Sequence, residues 1–134
     1  MSEPTWVPVR DVMRREVTFI SGRTSVFEAM RVMKRVKATT LMVEKRDEQD
    51  EYGMLLFSDI AKEVIAKDRS PERVNVYEIM SKPVIAVRPG MNIRYVARLF
   101  DNFGISHAPV IENEEVLGTI SYYLIALHGL GDLD

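Results

Sequence analysis

The sequence predicts an α+β fold: two strand–helix–strand–strand–helix repeats with pseudo-two-fold symmetry, packed through their sheets. Three observations predict it. Shifting the 134-residue chain by 67 positions lays Val9-Arg10-Asp11-Val12-Met13 over Val76-Tyr77-Glu78-Ile79-Met80. The same shift superimposes one pattern of apolar spacing on another. Each half alone, at about 60 residues, would bury only a marginal core, so the twins must cover each other's faces.

The elements follow in order. Val17-Thr18-Phe19-Ile20 and Val84-Ile85-Ala86-Val87 are short apolar runs, one strand in each repeat. Next come Val26, Ala29, Met30, Met33 and Val36, matched by Ile93, Val96, Ala97, Phe100 and Phe103. That spacing is one face of an amphipathic helix, drawn twice. Ser25 with Glu28 reads as a capping box, Asn92 as the second cap, and Gly104 as a left-handed helix end. Extended segments 38–43 and 105–111 lead through polar turns 44–51 and 112–115 into strands 52–57 and 116–122. The unequal turns reduce the offset to 65 from here on. Helices over about 58–67, with Ser58 as a cap, and 122–130 close the repeats. The boundaries are therefore 1–67, a polar linker 68–75 containing Pro71, and 76–134.

Composition excludes several classes. A net charge of −2 without a basic stripe speaks against phosphate-driven nucleic-acid binding. No apolar run approaches the roughly 20 residues of a membrane span. Met1 to Trp6 carries no basic-then-apolar leader pattern. The absence of Cys removes disulfides and thiolate sites and fits a cytoplasmic protein. No P-loop, G-x-G-x-x-G or H-E-x-x-H is present, and His107 and His128 are too distant to form a metal set, so no enzyme is expected. Asp47-Glu48-Gln49-Asp50-Glu51 lacks calcium-loop spacing and reads as a solvated turn. Met30, Met33, Met42 and Met54 read as core filler.

The duplicated pattern resembles a tandem pair of cystathionine-beta-synthase (CBS) domains, a Bateman module of the stand-alone bacterial or archaeal type. The features that carry the resemblance are Met13 and Met80 closing each opening segment, Ala108-Pro109-Val110, and a Gly-apolar-x-Ser/Thr-x-x-Asp-like close to each repeat. It implies a non-enzymatic regulatory module that binds an adenosine-containing ligand in the cleft between repeats. AMP, ADP, ATP or S-adenosylmethionine are the ligands implied, with no further cofactor and no metal. Signalling would run through altered packing or dimer geometry.

Carried over by residue, the first site would use Asp59 for the ribose hydroxyls, with Ser58, Met54 and Thr40. Met80, Ile85, Ile105 and Ser106 would form its wall. Thr40 stands where the family often has a basic phosphate contact, which disfavours a triphosphate. Leu56 stands where a Ser or Thr is expected. The second, weaker site would use Thr18, Ala38, Thr39, His107, Thr119 and Ser121, with Met13 nearby and Leu124 in place of the ribose carboxylate. Leu124, Ile125, Leu127 and Leu130 make the last helix apolar, as a homodimer would require, and the protein target is unidentified. The alternative is a ligand-free dimerisation or interaction module.

Overall fold

The computed structural model describes residues 6–130. Apart from Trp6, the segment read for a leader lies outside the described residues, as do the outermost ends of the two repeats. The chain is α+β and forms two compact units: Thr18–Val84, and Met1–Val17 with Ile85–Asp134. The units and the sequence repeats thus divide the chain at different places.

In the Thr18–Val84 unit, β1 (Phe19–Ile20) pairs in parallel with β2 (Thr40–Val43). β2 pairs antiparallel with β3 (Gly53–Leu56), with Thr40 opposite Leu56 at one end and Val43 opposite Gly53 at the other. Helix α1 (Val26–Val36) starts where the Ser25 hydroxyl accepts the Glu28 N–H at 3.1 Å. It ends on Lys37, left-handed at φ 57°, the counterpart of Gly104 at φ 64°. Lys37 carries the steric cost that Gly104 avoids. α1 buries Val26, Ala29, Val32 and Met33. Met30, expected in the core, is 42% exposed, because the buried face is centred on Val32 and Met33 instead. α2 (Phe57–Ile60) runs into a π-helical turn, Ala61–Ile65, rather than one α-helix over 58–67. Leu41, Val43, Leu55, Ile60 and Val64 join the α1 face in one core. Val74, Val76 and Ile79 belong to the same core.

The second unit has α3 (Ile93–Phe103), the hairpin β4 (His107–Glu112) and β5 (Glu115–Ser121), and α4 (Tyr122–Gly129). Asn113 and Glu114 both take positive φ, which gives a two-residue hairpin turn of the primed kind. The Asn92 carboxamide caps α3 by accepting the Arg94 N–H. Ile93, Val96 and Phe100 are buried, with the Tyr122 ring edge-on to Phe100 at 5.2 Å between centroids. Phe103, expected on the buried face, is 60% exposed.

The expected strand at Val84–Val87 is reduced to one parallel bridge, Val87 with Val110. The reason is local. In the first repeat the Met42 N–H donates to the Thr18 carbonyl at 3.0 Å. The counterpart of Met42 is Pro109, which has no N–H to donate.

The opening segments repeat each other's bonding. The Val9 N–H donates to Met91 O and the Val76 N–H to Thr24 O, both at 2.8 Å. Arg14 exchanges two 2.9 Å backbone bonds with Thr119, and Ser81 does the same with Met54. Val9, Val12 and Met13 therefore sit in the core with Phe100 and Ile120, in the second unit.

Candidate functional site

The Thr40–Leu56 end of the first sheet leads into α2 and carries Thr40, Ser58 and Asp59, the first site's polar residues in this unit. The Phe57 N–H donates to the Thr39 carbonyl at 3.0 Å, which fixes where α2 leaves the sheet. Leu56, not Ser58, is the residue before the helix, and Ser58 is its second residue, half-buried. The cap is Asp59, whose Oδ2 accepts the Leu56 N–H at 3.0 Å. A first-turn carboxylate also suits the positive end of the helix.

Thr40 faces Leu56 across the ladder. Its hydroxyl oxygen is buried and has no hydrogen-bond partner among the described residues. Such a group costs about 1–3 kcal/mol when left unsatisfied, so native structures rarely keep one without a reason.

The other first-site residues are placed differently. Met54 is a core side chain at 3% exposure. Met80 packs at the opposite end of β3, its sulfur 2.7 Å from where a Cβ on Gly53 would lie. Ile85, Ile105 and Ser106 belong to the other unit. There Ser106 Oγ and His107 Nδ1 are hydrogen-bonded at 2.8 Å.

The second set is divided likewise. His107 and Ser121 pair across the β4–β5 ladder, and Thr119 is the backbone partner of Arg14. Thr18, Ala38 and Thr39 lie in the Thr18–Val84 unit. Their backbones bond to Met42, Met33 and Phe57.

The two closing turns account for the split motif. Ser121 Oγ accepts the Leu124 N–H at 3.3 Å, while in the first repeat Asp59 accepts from Leu56. Ser-x-x-Asp is a capping box, and each repeat keeps one arm of it. Its spacing was visible in the sequence at positions 56, 59, 121 and 124.

One further cluster escaped the sequence reading. Asp47, Glu48 and Gln49 are solvated as expected, but the Asp50 side chain is only 7% exposed. Arg46 Nε donates to its Oδ2 at 3.1 Å, and Lys82 Nζ lies 2.7 Å from its Oδ1. These bonds, Arg46's first, hold the Asp50 carboxyl well below the usual carboxylate range. Lys82 is 32 residues away, so local spacing gave no signal.

Among the described residues no cluster of His, Asp and Glu could hold a metal, and no helix is long and apolar enough to cross a membrane. The family model for the CBS domain matches residues 9–66 and 76–126. A hexameric CBS-CP12 protein from bloom-forming cyanobacteria is 39% identical, with a TM-score of 0.90 over 94% of this chain and 74% of that one. A homoserine O-acetyltransferase of Methanosalsum zhilinae is 35% identical over 85% of this chain and 22% of its own. The CBS domain pair of protein MJ0100, solved with 5'-methylthioadenosine and S-adenosyl-L-methionine, shares the fold at TM-score 0.78 and 22% identity, over 92% of this chain and 95% of that one. Three of the curated relatives are longer proteins, of which the chain spans 59%, 22% and 42%.

Proposed function

Because the chain belongs to the CBS-domain family and carries two copies in tandem, we propose that it is a non-enzymatic sensor of an adenosine-containing ligand. The observation that carries this reading is the Thr40 hydroxyl, buried and without a partner among the described residues, at the sheet end that leads to Asp59. A ligand hydroxyl or ring nitrogen would give Thr40 the bond it lacks. The Asp59 carboxylate would accept from ribose hydroxyls in charge-assisted bonds while still holding Leu56. Without a basic residue at position 40, a ligand of low charge is favoured: AMP, S-adenosylmethionine or methylthioadenosine rather than ATP. The ligands named for the MJ0100 pair are of this kind.

Output would follow from differential affinity, since a ligand shifts only an equilibrium whose states it binds unequally. Tyr123, 72% exposed, and Leu127, 38% exposed, give α4 an apolar surface for a second copy or a target protein. A cytoplasmic location belongs to the same reading. Calorimetric titration with AMP, ADP, ATP and S-adenosylmethionine tests it. Saturable heat from a low-charge ligand, lost in Asp59→Ala and Thr40→Val, is the expected result. No heat at millimolar concentration would overturn the proposal.

A second reading, a ligand-free interaction module, is favoured by one observation: Asp59 and Ser121 both already serve as helix caps. Under it, nucleotide leaves the melting temperature unchanged. A true ligand at a hundredfold excess over Kd stabilises by about 2.7 kcal/mol.

A further inference from the structure

We propose that the Thr18–Val84 unit carries another ligand site, for a phosphate-bearing small molecule, in the cavity at the Val43–Gly53 end of its sheet. The cavity measures about 950 Å³ and is lined by Ser21, Gly22, Arg23, Glu44, Arg46 and Lys82, with Tyr77 beside them. Its volume suits a small metabolite. It is not the Asp59 site. β2 runs from Thr40 to Val43, so the two ends lie about 10 Å apart along the strand.

Three cations face the cavity, and they differ. Lys82 and Arg46 share one carboxylate, Asp50, which leaves that triad one positive charge in excess. Arg46 donates from Nε and Nη2 to Asp50, at 3.1 and 3.5 Å, but its side chain remains 80% exposed, so Nη1 stays open to a ligand. Arg23 has no ion-pair partner among the described residues. Its backbone N–H is fixed by Ser21 Oγ at 3.1 Å. Glu44 opposes one of these charges, which leaves the lining net positive and limits the ligand to modest charge. Tyr77, 54% exposed, offers a ring face to an apolar or planar body. The arrangement is a held triad, an unpaired guanidinium and an aromatic wall. Guanidinium groups bind phosphate through paired, charge-assisted bonds.

The test is titration of the full chain with inorganic phosphate, with sodium chloride balanced to constant ionic strength, following backbone amides by NMR. Saturable shifts at Gly22, Arg23 and Glu44 are expected. Arg23→Ala, which breaks no ion pair, should weaken binding about tenfold or more. Asp59→Ala and Arg35→Ala should leave it within twofold, whether or not the adenosine proposal stands. Shifts that never saturate, an unchanged Arg23→Ala, or an equal loss in Arg35→Ala would each overturn the site.

Discussion

The Asp59 carboxylate folds back onto the backbone N–H of Leu56, Oδ2 to nitrogen at 3.0 Å, and so caps α2 from inside the helix. Ser121 caps α4 from outside, accepting the Leu124 N–H at 3.3 Å. Asp59→Ala and Ser121→Ala should each lower stability by about 1 kcal/mol, the usual worth of a cap. Urea denaturation of both variants without ligand checks this. A loss in Asp59→Ala but none in Ser121→Ala would show that only the carboxylate arm matters.

Two glycines admit the opening segments, and they should differ sharply on substitution. A Cβ on Gly118 would lie 2.5 Å from the Arg14 carbonyl oxygen, which is backbone held by the bonds to Thr119. On Gly53 it would meet the Met80 sulfur at 2.7 Å, the far end of a flexible side chain. Gly118→Ala should therefore cost about 3 kcal/mol or more, and Gly53→Ala about 1–2 kcal/mol. Because Met80 is the obstacle, Gly53→Ala with Met80→Ala should be less destabilised than the sum of the singles, by at least about 0.5 kcal/mol. Thermal and urea unfolding of the four variants gives the comparison.

Local chemistry was legible in the sequence, and long-range chemistry was not. The Ser25 cap, the Gly104 helix end and the spacing of Ile93, Val96 and Phe100 follow from residues three or four apart, and all appear in the structure. Met30 and Phe103 fit the same helical spacing yet stay exposed, because periodicity gives a face but not its centre or its far edge. The weak second parallel strand depended on Pro109, whose missing N–H matters only once its partner is known. Asp50 looked like any acidic turn residue until Lys82 came beside it. At the candidate site, residue types marked Asp59 and Thr40. The first-turn position of Asp59 already fits a cap, as the structure has it; that Thr40 lacks a partner among the described residues depends on the fold around it.

Asp50 gives the acid response a definite sign. Arg46 and Lys82 lower its folded pKa, so its contribution to stability is full above the unfolded value, about 3.9, and is lost as pH falls below it. Asp50→Asn should be less stable than the parent at pH 7. The gap between the two curves should narrow as pH falls below about 4, because the unfolded parent then takes up a proton on the carboxyl that the folded protein keeps ionised. Denaturant unfolding at a series of pH values reads this directly, and parallel curves would rule out Asp50 as a source of the acid dependence.

Thr40 separates a structural role from a binding role, because the two predict opposite signs. Valine has the shape of threonine but no hydroxyl. Removing a buried, unpartnered hydroxyl eliminates its desolvation cost. Thr40→Val should therefore raise the stability of the free protein, by about 1 kcal/mol, and raise its melting temperature. If the hydroxyl is kept to meet a ligand, the same variant should bind AMP or S-adenosylmethionine about tenfold more weakly or worse, while Thr40→Ser retains affinity. Melting curves with and without ligand, on the parent and both variants, show both effects in one experiment. A Thr40→Val protein that is destabilised would mean that the hydroxyl has a partner in solution. One that gains stability and binds as the parent does would place the adenosine ligand away from this end of the sheet.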